Sequence, residues 1–273
     1  MTDLAHSRAD LAGALPQLPG PVGLVPTMGA LHDGHRALIK QARAVSQSVV
    51  VSVFVNPLQF APTEDLARYP RTLDADLEMC AAEGVDLVWA PSVEDVYPGG
   101  PALVRVDAGP MGAILEGVSR PTHFAGMLTV VAKLLNLVRP AVAFFGEKDY
   151  QQLVLITRMA ADLELGVGIA GVPTVREPDG LAMSSRNVYL SAEDRVRALA
   201  LSRALAAGRA TGGSGRDVLA AAWAVLREAG VDPDYLDLRA TDLSDAPEHG
   251  AARLLVAARI GTTRLIDNTA IEL

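Results

Sequence analysis

The chain is organised around one stretch, Pro26-Thr27-Met28-Gly29-Ala30-Leu31-His32-Asp33-Gly34-His35. The apolar run at positions 22–25 before it is typical of a strand, and apolar residues recur at helical spacing over positions 38–45 after it. His32 and His35 therefore lie where a strand ends and a helix begins. Unpaired backbone N–H groups and the helix dipole bind phosphate well at such a junction. The pattern indicates a triphosphate site with two imidazoles directed at it.

Two further features of this turn bear on its ligand. Gly29 and Gly34 have no Cβ, so a bulky ligand can approach the backbone closely. His32 and His35 are three residues apart and share a face of any helix that begins near them. His-x-x-His also occurs in metal sites, but a catalytic zinc usually takes a third protein ligand, and none lies nearby in the sequence. Phosphate is therefore the favoured interpretation.

The composition narrows the class of protein. At 273 residues, half of them hydrophobic, the chain can form one large domain or two smaller ones. A net charge of −8 argues against nucleic acid as a partner, because nucleic-acid binders normally carry a basic surface. No apolar run reaches the roughly 18 residues of a membrane span, and no signal peptide is evident. Cys80 is the only cysteine, which predicts a reducing, cytoplasmic environment.

A second ligand-binding edge is expected after the next strand. Residues 48–55 form a nearly continuous β-branched run, which is typical of a strand buried on both faces of a parallel sheet. Asn56 and Pro57 end that strand. Gln59 then lies just past its carboxyl end, where ligands bind in open α/β sheets. Its amide both donates and accepts, so it can hold a hydroxyl and a carboxylate of a small acid; a capped loop is the alternative.

The same strand–turn–helix pattern recurs later in the chain. A buried strand over 141–145 leads into Gly146-Glu147-Lys148-Asp149, and a helix is expected from about Tyr150. Lysine occurs only at Lys40, Lys133 and Lys148, although lysine and arginine together number 24. A lysine at this edge of the sheet therefore indicates a compact cation that meets a phosphate. A surface charge cluster is the alternative.

Other segments complete the predicted architecture. A short strand is expected at 103–106, and Arg120 and His123 precede a strong helix, where they either reach a carboxylate or cap the helix. Residues 166–171 match G-x-G-x-x-G but do not open a helix, so they are rejected as a dinucleotide fingerprint. The predicted class is α/β, with a Rossmann-like parallel sheet domain over residues 1–174 and a smaller C-terminal α+β lid domain over residues 175–273.

Four strings in the chain resemble a known family. His32-Asp33-Gly34-His35 after a strand resembles the His-x-Gly-His signature of the nucleotidylyltransferase superfamily. The longer string that opens at Pro26 resembles, more narrowly, the pantoate–β-alanine ligase family. Three further strings occur in that family's order and spacing: Phe54-Val55-Asn56-Pro57-Leu58-Gln59-Phe60, Phe145-Gly146-Glu147-Lys148-Asp149-Tyr150-Gln151-Gln152-Leu153, and Met183-Ser184-Ser185-Arg186-Asn187.

The resemblance implies an ATP-dependent, AMP-forming ligase that condenses (R)-pantoate with β-alanine to pantothenate through an enzyme-bound pantoyl adenylate. It implies ATP as a substrate, Mg²⁺ as a cofactor, small molecules as the other ligands and a homodimer. His35, His32 and Lys148 are the expected catalytic residues, and Asp76 is the candidate near the ATP-bound Mg²⁺.

The resemblance also implies two sets of binding residues. Gln59, Gln152 and Met28 are expected to bind pantoate and β-alanine. The expected ATP-binding residues are Met28, Gly29, Ala30, Leu31, His32, Asp33, Gly34, His35, Gly146, Glu147, Lys148, Asp149, Val175, Met183, Ser184, Ser185 and Arg186. Residues 183–187 are expected to form a polar loop. Two serine hydroxyls and a guanidinium in succession suit a polyphosphate, because they supply several donors; a loop that caps the following helix is the alternative.

Two other functions share the first histidine pair. A nucleotidylyltransferase with a different acceptor would attack ATP with a phosphate and would need basic residues where Gln59 and Gln152 stand. A non-enzymatic ATP sensor would need neither the second pocket nor the Ser-Ser-Arg segment.

Overall fold

The computed structural model describes residues 2–61 and 66–273. It divides into two compact units, one over Met1–Glu147 and Leu155–Pro173 and the other over Lys148–Val154 and Thr174–Leu273. Within the described residues, no helix has the length and hydropathy needed to cross a lipid bilayer.

The first unit is built on a six-stranded parallel sheet in the order β1-β4-β3-β2-β5-β6. The strands are β1 (Asp3–Ala5), β2 (Val22–Thr27), β3 (Ser48–Val53), β4 (Leu87–Trp89), β5 (Val142–Gly146) and β6 (Gly168–Val172). The helices in the same part of the chain are α1 (Arg8–Ala14), α2 (Asp33–Val45), α3 (Leu73–Ala82), α4 (Val93–Val96), α5 (Glu116–Ser119), α6 (His123–Val138) and α7 (Tyr150–Asp162).

The central strands are buried on both faces, as their apolar sequence predicts. Val49 and Val51 point to one face, where they pack with Ile39 of α2 and Cys80 of α3. Val50 points to the opposite face and is fully buried as well. Since β2 lies between β3 and β5, its carboxyl end is at the centre of the sheet edge where ligands bind in such folds.

The second unit contains a three-stranded antiparallel sheet in the order β7-β8-β9. Its elements are α8 (Ala192–Thr211), α9 (Gly215–Glu228), β7 (Pro233–Ala240), β8 (Ala251–Ile260) and β9 (Thr263–Glu272). Apolar residues of both helices and all three strands form one core. The predicted α/β class, with a parallel sheet and a smaller C-terminal α+β part, is confirmed.

Two of the predicted elements need comment. The strand expected at 103–106 is wrong: Leu103 is fully exposed and Val104 is 88% exposed, and neither pairs with another strand. β-branched residues form a strand only where a neighbouring strand and a core receive them. The glycine-rich segment 166–171 enters strand β6 rather than a helix, so its rejection as a dinucleotide fingerprint is confirmed.

Candidate active site

The turn between β2 and α2 adopts an unusual backbone conformation. Gly29 has a φ of +80° and Ala30 a φ of +51°, so two successive residues lie in the left-handed region. The hydroxyl of Thr27 donates to the Ser52 carbonyl at 2.7 Å and accepts from the Gly29 N–H at 3.2 Å. His32 then caps α2 in an extended conformation, with a φ of −139°. The turn therefore bends sharply at the carboxyl end of β2 and presents the start of α2.

Backbone hydrogen bonds orient both histidine rings. The Nδ1 atom of His32 accepts the N–H of Gly34 at 3.1 Å, and the Nδ1 atom of His35 accepts the N–H of His32 at 3.2 Å. The ring centroids are 4.2 Å apart and the rings are tilted by 45°. Because each Nδ1 is an acceptor, the ring proton of each neutral imidazole is on Nε2. The pair thus supplies two N–H donors, which suit an anion better than a metal ion.

A buried carboxylate holds this turn from a distant helix. Asp76 in α3 is 1% exposed. Its Oδ2 atom accepts the N–H of Ala30 at 3.1 Å, and its Oδ1 atom accepts the N–H of Leu31 at 2.8 Å. Thr72 also donates its hydroxyl to Oδ1, at 3.2 Å.

The contacts of Asp76 bear on the magnesium ion that the resemblance implies. Both carboxylate oxygens are engaged with backbone N–H groups of the turn. Within residues 2–61 and 66–273, no group of three or more His, Cys, Asp and Glu side chains is placed to hold a metal ion. The described residues therefore do not form a complete set of protein ligands for Mg²⁺. Mg²⁺ usually keeps several waters and binds through one or two carboxylates and substrate phosphates.

A buried amide pair lies beside the turn. Asn56 is 1% exposed and Gln59 is 8% exposed, and the Asn56 Nδ2 donates to the Gln59 Oε1 at 3.1 Å. The Gln59 Nε2 approaches the Met28 Sδ at 3.1 Å. The hydroxyl of Tyr97 donates to the Asn56 Oδ1 at 2.8 Å, and burial raises the pKa of Tyr97 to about 12. The structure thus brings Gln59 into contact with Met28 of the turn, and Tyr97 orders the pair.

The backbone of Gln59 is held by Arg120, which follows α5, and by His123, the first residue of α6. The Nδ1 atom of His123 lies 2.9 Å from the Gln59 carbonyl, and a guanidinium N–H of Arg120 donates to the same oxygen at 3.3 Å. Arg120 also contacts the Nε2 atom of His123 at 3.1 Å. A Cβ at Gly126 would overlap the Leu58 carbonyl, so only glycine lets α6 approach this loop so closely. Arg120 and His123 therefore support the loop that carries Gln59.

The second strand–turn–helix segment is anchored differently. β5 ends at Gly146, and Lys148–Val154 belong to the second compact unit. The Asn268 Nδ2 of β9 donates to the Lys148 carbonyl at 2.9 Å, and the Arg253 Nε donates to the Asn268 Oδ1 at 2.7 Å. The Arg253 guanidinium also lies 4.1 Å from the centroid of the Tyr150 ring. Residues far along the chain therefore hold the backbone that carries Lys148.

The side chains of this segment differ in exposure. The Lys148 side chain is about one-fifth exposed, and its Nζ lies 3.9 Å from the Asp149 Oδ2. Gln152 is half-buried in the first turn of α7. The Tyr150 hydroxyl donates to the Thr241 carbonyl at 2.8 Å, which fixes the start of α7 on the C-terminal part of the unit.

The polar segment with two serines lies in the same unit as Lys148. The Met183 N–H donates to the Val175 carbonyl at 2.9 Å, so these two predicted ATP-binding residues are neighbours. Ser184 caps a short 3-10 helix over Ser185–Tyr189, and its Oγ accepts the N–H of Arg186 at 3.3 Å. The segment was expected to be a loop, but local capping makes most of it helical.

The structure adds residues that the sequence analysis did not assign. Tyr97, Arg253 and Asn268 each contact a predicted site residue or its neighbour. The one signal for Asn268 was the polar pair Asp267-Asn268, which directly follows the apolar residues Leu265 and Ile266 in β9. Both residues of the pair are 4% exposed. Buried polar side chains normally have partners, so such a pair indicates specific contacts without naming them.

Comparisons with known proteins agree on one family. A family model described as pantoate-beta-alanine ligase matches residues 3–270. Pantothenate synthetase from Nocardia farcinica is 62% identical over 265 residues, which cover 96% of this chain and 83% of the relative. A crystal structure of pantothenate synthetase from Thermus thermophilus is similar with a TM-score of 0.93 and 50% identity over 98% of each chain.

A further solved structure carries ligands. The pantoate-beta-alanine ligase from Francisella tularensis, described as complexed with beta-gamma ATP and beta-alanine, is similar with a TM-score of 0.84 and 36% identity. The match covers 98% of this chain and 97% of that one.

Proposed function

The chain belongs to the pantoate–β-alanine ligase family, and from that premise we propose that it condenses (R)-pantoate with β-alanine to pantothenate while converting ATP to AMP and pyrophosphate. The observation that carries the proposal is the family match across residues 3–270. The geometry that supports it is the pair of Nε2–H donors in the turn after β2, beside the buried amides of Asn56 and Gln59.

The proposed reaction has two steps. An oxygen of the pantoate carboxylate attacks the α-phosphorus of ATP, and the bond from that phosphorus to pyrophosphate breaks. The neutral amine of β-alanine then attacks the acyl carbon, the bond to AMP breaks, and the nitrogen loses a proton. No enzyme nucleophile is required, and burial raises the pKa of the Cys80 thiol to about 12, so that thiol stays protonated.

Catalysis then depends on positioning and on donors directed at the phosphates. The proposed catalytic groups are His32, His35 and Lys148. His32 and His35 donate from Nε2 to phosphate oxygens, and Lys148 adds a compact cation. Ser184, Ser185 and Arg186 extend the set of phosphate donors.

Pantoate and β-alanine are proposed to bind beside the donors that hold the ATP phosphates. Gln59 and Gln152 hold pantoate, Met28 packs against it, and β-alanine enters the crevice around Gln59. The contact between Gln59 and Met28 supports this assignment. Mg²⁺ carried by the nucleotide would neutralise part of the triphosphate charge.

The remaining proposals concern organisation. We propose that residues 175–273 act as a lid domain and that the enzyme is a cytoplasmic homodimer. Light scattering during size-exclusion chromatography would give the mass of the particle for comparison with the 28.6 kDa chain. A single-chain mass at assay concentration would contradict the dimer.

One assay separates this function from its alternatives. The enzyme is incubated with ATP, pantoate and β-alanine, each omitted in turn, while AMP, pyrophosphate and pantothenate are followed. Exchange of pyrophosphate into ATP that requires pantoate but not β-alanine supports the adenylate. Pantoate labelled with ¹⁸O in its carboxylate should transfer one label to AMP.

The other outcomes would overturn the proposal. A dinucleotide product formed with a phosphate acceptor would identify a nucleotidylyltransferase. ATP binding without turnover under any combination would identify a sensor. Label that stays entirely in pantothenate would exclude attack by the carboxylate on phosphorus.

A further inference from the structure

We propose that Asp76 is a positioning residue whose carboxylate clamps the turn between β2 and α2, so that His32 and His35 face the triphosphate. The inference rests on the proposed function for the identity of the ligand. In this proposal Asp76 orients the turn through hydrogen bonds, whereas the family resemblance implied that it lies near the ATP-bound Mg²⁺.

The clamp consists of one carboxylate and two adjacent peptide groups. Oδ2 accepts from Ala30 at 3.1 Å and Oδ1 accepts from Leu31 at 2.8 Å, although Asp76 is 45 and 46 positions away along the chain. With 1% of its surface exposed, the carboxylate cannot exchange these partners for water without a local opening. Hydrogen bonds to a charged acceptor are about twice as strong as neutral ones, so this one side chain has a strong hold on the turn.

The turn needs such a clamp because its backbone is strained. Ala30 has a φ of +51°, a region that a residue with a Cβ populates about tenfold less readily than the right-handed one. Gly29 has a φ of +80°, and a Cβ there would lie 3.0 Å from the Asp76 Oδ2 and from Val53. Without the carboxylate, we expect Ala30 to relax toward negative φ.

The carboxylate is itself oriented by its own helix. The Thr72 hydroxyl donates to Oδ1 at 3.2 Å, and the Thr72 carbonyl accepts the N–H of Asp76 at 2.9 Å. Three donors from two segments therefore converge on one buried carboxylate. Such an arrangement fits a structural acceptor, whereas an Mg²⁺ ligand keeps an oxygen open toward the ion.

A change in the turn would be transmitted directly to the imidazoles. Leu31, which Asp76 holds, is bonded to His32, and the His32 N–H is the donor to the His35 Nδ1 at 3.2 Å. Rotation of the peptide between Ala30 and Leu31 would therefore displace both rings. A shift of about 1 Å in catalytic groups can cost about 10²-fold in rate.

The test uses Asp76→Asn, in which the amide oxygen can accept only one of the two N–H groups. We expect kcat to fall about 10²-fold, with the far-UV circular dichroism spectrum unchanged. Asp74→Asn is the matched control, because Asp74 is an exposed acid in the same turn of α3, and its kcat should stay within twofold of wild type. A wild-type kcat in Asp76→Asn would overturn the clamp.

A second substitution distinguishes positioning from general stability. Ala30→Gly removes the penalty for positive φ, so in the Asp76→Asn background it should raise kcat about fivefold. Thr72→Val keeps the carboxylate but removes one of its donors, and it should lower kcat severalfold. This variant keeps the proposal testable if Asp76→Asn does not fold, and a wild-type kcat in it would then count against the clamp.

Two measurements separate the competing explanations. If Asp76 binds Mg²⁺, excess Mg²⁺ will restore turnover in Asp76→Asn, which would overturn the clamp. The ¹⁵N NMR shifts of the histidine rings do not depend on activity: wild type should show the Nε2–H tautomer at His32 and His35, and Asp76→Asn should lose that pattern. If the wild-type protein has no ligase activity but Asp76→Asn still loses the wild-type ring pattern, the proposed function is refuted and the clamp stands. If Asp76→Asn keeps the wild-type ring pattern, the clamp is overturned.

Discussion

Two strand–turn–helix segments of this protein look alike in sequence but are stabilised in different ways. After β2, the turn is held by hydrogen bonds between neighbours, such as the one from His32 to His35, and by a single carboxylate about 45 residues away. After β5, the backbone of Lys148 is held by Asn268 across 120 positions, and the Tyr150 hydroxyl reaches Thr241 across 91.

The difference teaches that two segments with similar sequence patterns can depend on hydrogen bonds from different parts of the chain. The first turn lies wholly within the unit that contains the parallel sheet, and its hydrogen-bond partners, whether near in sequence or distant like Ser52 and Asp76, belong to that same unit. The second segment follows a strand of that sheet along the chain, yet Lys148–Val154 group with the C-terminal residues. Substitutions in β9 should therefore affect the chemistry of Lys148 and leave the histidine turn intact.

The largest expected effect in this comparison comes from Lys148→Ala. Removing the ammonium should lower kcat by about 10²–10³-fold, as loss of one preorganised donor does in other enzymes. Steady-state production of AMP and pantothenate measures the effect. Lys40→Ala is the control, because its side chain is 64% exposed and the charge change is the same. Near-normal turnover in folded Lys148→Ala would show that the second segment carries no phosphate chemistry.

A smaller effect is expected from Asn268→Asp. The substitution keeps an oxygen near Arg253 but places a second oxygen against the Lys148 carbonyl, so the segment should shift. We expect kcat to fall about tenfold, which corresponds to the loss of one buried hydrogen bond. Asn136→Asp, the same change on an exposed turn of α6, should behave as wild type.

The histidine turn provides the internal reference for that experiment. The ¹⁵N pattern of His32 and His35 should be unchanged in Asn268→Asp, because the contacts that orient the rings lie in the other unit. If the ¹⁵N signals of His32 and His35 also shift in Asn268→Asp, the two segments are coupled, and the contrast between them fails.

The smallest effect concerns the pH dependence of stability. Burial, with a lesser contribution from the Asp76 charge, raises the pKa of Cys80 from 9.0 to about 12, and burial raises that of Tyr97 from 10.0 to about 12. The folded state therefore binds more protons than the unfolded state between about pH 9 and 12. The free energy of unfolding should be independent of these groups below pH 9 and should fall as the pH rises toward 12.

Denaturant unfolding at several pH values measures this slope, and the Cys80→Ser variant should show a shallower one because only Tyr97 remains. In the native wild type, alkylation of Cys80 by iodoacetamide at pH 8.5 should be slow and should accelerate on unfolding. Rapid alkylation of the native protein would show that the core beneath the histidine turn opens readily.

Much of the architecture was predictable because its signals are local. The β-branched run at Ser48–Val53, the histidine turn and the apolar spacing of α2 each depend on neighbours within a few positions. The strand expected at 103–106 was wrong because strand formation also requires a partner, and a short apolar run does not specify one. The segment at Ser185–Tyr189 forms a 3-10 helix rather than the expected loop because Ser184 caps it locally.

The sequence by itself determined the parallel α/β class, the family and the placement of His32, His35, Gln59 and Lys148 at strand ends. Only the tertiary structure decided which distant residues hold those groups: Asp76 for the first turn, Tyr97 for the amide pair and Asn268 for the lysine segment. The physical reason is that hydrophobic periodicity and capping act over a few residues, whereas a buried hydrogen bond forms wherever folding brings a donor to an acceptor. That pairing is a property of the packed chain and leaves little trace in the order of its residues.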